Sequence, residues 1–173
     1  MKSIVSYVKG VAGICRMEMA PQLLPYSTIA LLFSLLLFGA GRYQVHSLDH
    51  SQFASIQVGL WASVVLMAVT VLVLALGKRL EAVARTLTAL AATGAVVALT
   101  NAAFRIIIFA VTPEDAGLSK MTGFLTFPLF IWNVMVFAYI FRHAFSGRPV
   151  LALALSGFCI LPISFVLPAI FPA

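Results

Sequence analysis

Apolar residues fall into five long, nearly unbroken stretches of this chain, and most charged residues collect between them. The stretches run over about 23–40, 53–76, 87–111, 124–141 and 150–171. A helix needs about 20 apolar residues to cross a hydrocarbon layer roughly 30 Å thick, and each stretch is of that order. The polar–apolar alternation of a membrane barrel strand is absent. A spanning backbone must also satisfy its own hydrogen bonds, which favours helices. The pattern predicts an all-α, polytopic membrane protein. Residues 1–173 form one domain, a bundle of five transmembrane helices with an amphipathic interfacial helix over 1–20.

In that first segment Lys2, Lys9 and Arg16 recur every seven residues, so on a helix they fall within about 40° of one another. Ile4, Val8, Val11 and Cys15 gather opposite them. This pattern suits a helix lying in the membrane interface with its basic side towards the headgroups. Gly10 and Gly13 weaken the helix, by roughly 1 kcal/mol each relative to alanine. Pro21 and Pro25 set the turn into the first span. The apolar run before Cys15 is short and interrupted by Ser6 and Lys9, so no cleavable signal is expected. Ile14 stands where a lipoprotein signal carries a small residue, so lipidation of Cys15 is not expected either.

Composition agrees with the pattern. Hydrophobic residues make up 62% of the chain and charged residues 9%, with a mean hydropathy of +1.10; no soluble core of this size needs such a composition. None of the five carboxylates (Glu18, Asp49, Glu81, Glu114, Asp115) lies in an apolar stretch. The sequence therefore shows no intramembrane acid of the kind used for proton or cation coupling.

Charge supplies the orientation. In the alternating topology Lys2, Lys9, Arg16, Lys78, Arg79, Arg85, Arg142 and Arg148 share one side, while Arg42, Arg105 and Lys120 fall on the other. Short loops with this bias place the basic side, and the amino terminus, in the cytoplasm. The net charge of +6 then reflects topology together with attraction to anionic lipid headgroups. Lys2, Lys9, Arg16, Lys78, Arg79, Arg142 and Arg148 form a cytoplasmic basic face, suited to lipids and to a membrane-protein partner or second copy. Because these residues are dispersed among short loops, no nucleic-acid partner is expected.

Few residues carry candidate chemistry. On a continuous helix His46 and His50 would share a face at the i,i+4 spacing with Asp49 beside them. The segment echoes an inverted zinc-protease motif, with Asp where that motif has Glu. No third ligand is evident, since His143 belongs to the opposite side. We read the segment first as a solvated loop or helix cap, with Asp49 capping the second span, and second as a metal site. Arg105 lies about 20 residues beyond Arg85, roughly 30 Å along a helix, near the outer headgroups where it can snorkel. Its alternative is a cation facing the bundle interior. Asn101 lies one turn below it, and with Gln57 and Asn133 it forms a candidate polar network between helices. Cys15 and Cys159 are too far apart on this topology for a disulfide. A Cys15–His143 nucleophilic pair is permitted by topology but favoured by nothing. No phosphate loop, nucleophile elbow or acid pair occurs, so neither enzymatic activity nor a cofactor is expected.

Packing signals are clearer. Ala91, Ala95, Ala98 and Ala102, with Gly94 beside them, form a small-residue stripe that marks the third span as central. Pro162 and Pro168 should break the fifth span towards its outer end. No inverted repeat is found, and five spans do not divide into equal halves.

Several short motifs carry a family resemblance: Cys15-Arg16 with Pro21-Gln22-Leu23-Leu24-Pro25-Tyr26-Ser27, the run Arg85–Ala95, and Trp132, Tyr139 and Arg142-His143-Ala144. In these the chain resembles small bacterial inner-membrane proteins of unassigned function, which in length and five-span layout look like the Yip-type membrane families. The resemblance implies this architecture and a bacterial inner membrane, where the orientation read from charge puts the carboxyl terminus in the periplasm, and it brings no catalytic residues. Eukaryotic Yip proteins associate with small GTPases, but their Asp-Leu-Tyr-Gly-Pro motif does not occur here, so that activity is not carried over. The leading expectation is a non-enzymatic accessory or interaction component of a membrane assembly. The alternative is a transporter or channel component for a small solute or lipid, using Asn101, Arg105 and Asn133. The two differ on whether those side chains face one cavity. A third class, a metalloenzyme at His46, Asp49 and His50, requires bound zinc.

Overall fold

The computed structural model describes residues 2–24, 27–48, 50–111, 118–145 and 147–171. Among the described residues seven α-helices follow in chain order: α1 (Lys2–Cys15), α2 (Thr28–His46), α3 (Gln52–Leu76), α4 (Val83–Val111), α5 (Leu118–Ala144), α6 (Pro149–Leu161) and α7 (Leu167–Ile170). A π-helical turn, Pro162–Val166, joins the last two. No strand occurs among the described residues. Five segments are long and apolar enough to span a membrane: Thr28–Ser47, Gln52–Leu76, Leu80–Ala110, Thr126–Ala144 and Pro149–Ile170. Large apolar side chains such as Ile29, Leu36, Phe53, Phe124 and Val150 cover the outer surface. A water-soluble chain does not present apolar surface on this scale. The protein is a multi-pass helical membrane protein.

The first span differs from its predicted limits. Pro21 opens a short 3₁₀ turn, Pro21–Leu23, and the helix starts only at Thr28, where the Ser27 hydroxyl accepts from Ala30 N–H at 3.0 Å. Its far end lies at His46 rather than near residue 40. Gly39 and Gly41 do not interrupt it, because neighbouring helices use them for close approach. A Cβ on Gly59 would come within 2.7 Å of the Gly39 carbonyl oxygen, and one on Gly39 within 3.0 Å of the Gly59 oxygen, so α2 and α3 touch backbone to backbone. α3 is capped by Ser51, whose hydroxyl accepts from Ala54 N–H. The cap expected of Asp49 therefore falls to Ser51, and Asp49 itself lies outside the described residues, as does Pro25.

α4 is the central post. Ala91, Ala95, Ala98 and Ala102 are all buried, and α2 packs along α4 more extensively than any other pair of helices. Gly41 sits against the Ala98 methyl, and Gly94 sits beneath the rings of Phe38 and Phe137.

α1 is the expected short apolar amino-terminal helix, and one side of it packs on the bundle. Val11, Ile14 and Cys15 are buried and Tyr7 packs against the core, whereas Ile4 and Val8 are exposed, so part of its apolar face docks on the bundle. Two bonds fix it there. The Ser34 hydroxyl donates to the Ala30 carbonyl, so the Tyr7 hydroxyl donates to Ser34 Oγ at 2.6 Å. Trp132 Nε1 donates to the Cys15 carbonyl at 3.0 Å. Lys9, Arg16, Lys78, Arg79, Arg142 and Arg148 are exposed; the Lys2 side chain lies outside the described residues.

Candidate functional site

A cavity of about 470 Å³ lies between α2, α4, α5 and the α6–α7 segment, at the end of the bundle opposite α1. Its floor is apolar, made by Phe38 of α2 and Phe137 of α5 closing over Gly94. A Cβ on Gly94 would lie 2.8 Å from Phe38 and 3.3 Å from Phe137, so the absent side chain is what admits both rings. From Gly94 to Arg105 the lining climbs α4 by about 16 Å, roughly half a hydrocarbon core. The polar groups Arg42, His46, His50, Asn101, Arg105 and Asn133 all line it above that floor.

Arg42 is the group the sequence misplaces. Read as a loop residue on the outer side, it is carried by α2 into the cavity wall. Its Nη2 donates to the Ile163 carbonyl at 2.6 Å. The reason lies in the broken fifth span. In the π turn the Leu167 N–H bonds to the Pro162 carbonyl five residues back. The next donor in that register is residue 168, a proline without an N–H. The Ile163 carbonyl therefore has no donor in its own helix, and the guanidinium takes it. Arg42 Nε remains buried with no hydrogen-bond partner among the described residues.

Arg105 performs a similar service for α2. Its Nη1 donates to the Val45 carbonyl at 3.1 Å, in the last helical turn, where carbonyls lack intrahelical donors and a cation is favoured. The guanidinium also stands 5.8 Å from the centre of the Phe109 ring. The expected headgroup snorkel gives way to an inward-facing cation that ties α4 to α2. Both arginines are thus oriented by backbone oxygens of neighbouring helices.

The histidines are neither a solvated loop nor a helical i,i+4 pair. α2 ends at His46 and the chain then bends, yet the His46 and His50 rings still meet at 4.0 Å. The Ser55 hydroxyl donates to the Ser51 carbonyl at 2.8 Å, so His46 Nδ1, 3.0 Å from Ser55 Oγ, is the donor of that pair. This fixes Nδ1 as a protonated nitrogen of His46. His50 Nδ1 is buried without a partner among the described residues. No group of three metal-type ligands forms among the described residues.

Asn101 and Asn133 line the same cavity, and each has a buried side-chain oxygen with no partner among the described residues. Gln57 is not part of the lining, so the expected network divides, with the two asparagines inside and the glutamine apart. Ser164 joins the lining from the π turn. No carboxylate lines the cavity among the described residues. The arrangement suits holding an anion: fixed cations, amides that offer both donor and acceptor, and walls of low dielectric that strengthen each contact.

The other candidate chemistry does not assemble. Burial pushes the Cys15 thiol up to about 11, which disfavours the thiolate a nucleophile needs. His143 Nδ1 is engaged with the Tyr139 carbonyl at 2.9 Å.

Comparison with known protein families, with curated proteins and with solved structures finds no match to this chain.

Proposed function

We propose that the chain is a non-enzymatic carrier or channel component of a bacterial inner membrane that binds an anionic ligand in this cavity. The observation that carries the reading is the convergence of Arg42, Asn101, Arg105 and Asn133 on one cavity whose described lining holds no carboxylate. Buried polar atoms left without partners are costly, about 1–3 kcal/mol each, and a ligand that pairs with them recovers that cost. The function requires capture and release and no covalent step. The bias of basic residues supports an orientation with the amino terminus in the cytoplasm, which puts the cavity on the periplasmic side.

The test is thermal unfolding of detergent-purified protein against a panel: inorganic phosphate, sulfate, acetate, glycerol 3-phosphate and phosphatidylglycerol. A true ligand at a hundred times its Kd stabilises the fold by about 2.7 kcal/mol. Wild type is expected to respond to at least one of these and Arg42→Gln to none. A wild type indifferent to the whole panel would overturn the reading.

An accessory role in a larger assembly is the second reading, favoured by the exposed basic residues Lys9, Arg16, Lys78, Arg79, Arg142 and Arg148. It expects a stable protein partner to co-purify in mild detergent, and to be lost when these charges are neutralised.

A further inference from the structure

The anion-binding reading leaves the ligand's class open, and the walls of the cavity narrow it. We propose that the cavity is a lipid-headgroup site, holding the phosphate and hydroxyl groups of one anionic phospholipid whose acyl chains leave sideways between α5 and the π turn. The inference rests on the anion-binding reading and narrows it.

Three observations converge on this occupant. The first is the kind of polar atom left open. Arg42 Nε is a donor in need of an acceptor, and the Asn101 and Asn133 oxygens are acceptors in need of donors. A phosphodiester that also bears hydroxyl groups supplies both. A fully ionised small anion supplies only acceptors. The second is the apolar lining. Phe38, Phe130, Phe137, Ile160 and Ile163 share the cavity with the polar groups, and a small hydrated ion gains nothing from such walls. An amphiphile uses both kinds of surface.

The third observation is the route in. Phe127 and Phe165 line the cavity yet are 60% and 59% exposed, so its wall opens on the outer flank of the bundle. Phe165 lies on the π turn and meets Phe130 of α5 edge-on at 5.9 Å. Thr126, about two turns into α5 from its outer end, is also in the lining, so the opening stands towards the outer end of that helix, near the boundary between headgroups and hydrocarbon. A phospholipid presents its head and chains on either side of that boundary.

Native mass spectrometry of the whole chain tests the proposal, with three separate probes: dioleoyl phosphatidylglycerol, dioleoyl phosphatidylcholine and free glycerol 3-phosphate. The expected result is one phosphatidylglycerol retained per chain, no comparable retention of phosphatidylcholine, and no displacement by millimolar glycerol 3-phosphate. Arg42→Gln and Asn133→Leu should each lower the retained fraction at least tenfold, while Arg85→Gln, exposed at the other end, leaves it unchanged. Asn133→Leu guards against misfolding. It replaces an amide whose buried oxygen has no partner among the described residues by an apolar group of similar size, so its melting temperature should hold or rise while the lipid is lost. Binding of glycerol 3-phosphate in place of the lipid would overturn the lipid assignment and leave the anion site standing. Retention of phosphatidylglycerol undiminished in both Arg42→Gln and Asn133→Leu would mark it as annular and overturn the site. Retention of neither probe would overturn both.

Discussion

A single arginine shows how much depends on where a helix stops. Ending α2 at residue 40 would leave Arg42 in water; continuing to His46 puts it in the cavity wall beside a carbonyl that lacks a donor. Both outcomes satisfy the local sequence, since a charge in a last turn can reach either headgroups or interior. Cys15 offers a check on the buried end of α1. With its thiol raised to about 11 by burial, the thiolate fraction at pH 8 is only about one in a thousand. Maleimide-type alkylation of the native protein at pH 8 should run about a hundredfold slower than in the unfolded chain, and should accelerate as pH climbs towards 11. Fast native labelling at pH 8, located to Cys15 by peptide mapping, would mean that α1 is not docked. Cys159 is also buried and should contribute little to the native signal.

Elements meet here through backbone and small residues. Because the Cβ of an alanine at 59 would press on the Gly39 carbonyl, a backbone atom that cannot swing aside, Gly59→Ala should destabilise by about 1–3 kcal/mol in chemical or thermal unfolding. The conservative change Val58→Ala, a buried truncation nearby, gives the scale of an ordinary packing loss. The π turn makes a different prediction. Pro168→Ala returns an N–H to the last span, giving the Ile163 carbonyl a donor of its own and releasing Arg42 from it. The variant should melt at the same or higher temperature yet bind its anionic ligand about tenfold more weakly, measured by the thermal-shift panel. The five spans were legible in the sequence because apolar length needs no tertiary information. The small stripe on α4 and the break around Pro162 were legible for the same local reason. The cavity was half legible: Asn101, Arg105 and Asn133 stood out as polar residues in apolar stretches. Gln57 stood out equally and lies apart, because facing is decided by how helices rotate against one another. The contributions of Arg42, His46 and Ser164 depend on α2 running on to His46 and on the register of the π turn. A signal for the former was present, since no proline follows Ala40 before Ser47 and a lone Gly41 does not end a helix packed against its neighbours. In a membrane bundle glycine more often marks contact.

At the scale of the whole molecule, the exposed basic residues Lys9, Arg16, Lys78, Arg79, Arg85, Arg142 and Arg148 gather at the end carrying α1, and the cavity, with Arg42 and Arg105, occupies the other. The proposed orientation expects a cysteine placed at Lys9 or Arg148 to react only with reagents reaching the cytoplasmic face, and one at Ser51 only from the periplasm. The reverse pattern would invert the topology and hand the cavity to the inner leaflet. The floor over Gly94 has a kinetic consequence. Phe38 and Phe137 close the well about halfway through, and below them Leu90, Ile14 and Phe141 are fully packed. Such a shape has no continuous conduit, so in this conformation it can be filled and emptied but cannot conduct. Flux across it, if measured in proteoliposomes, should saturate with concentration and be limited by collective motions of microseconds to milliseconds rather than by diffusion. Phe137→Ala, by contrast, should give an unsaturable leak, turning a vessel with one mouth into a pipe.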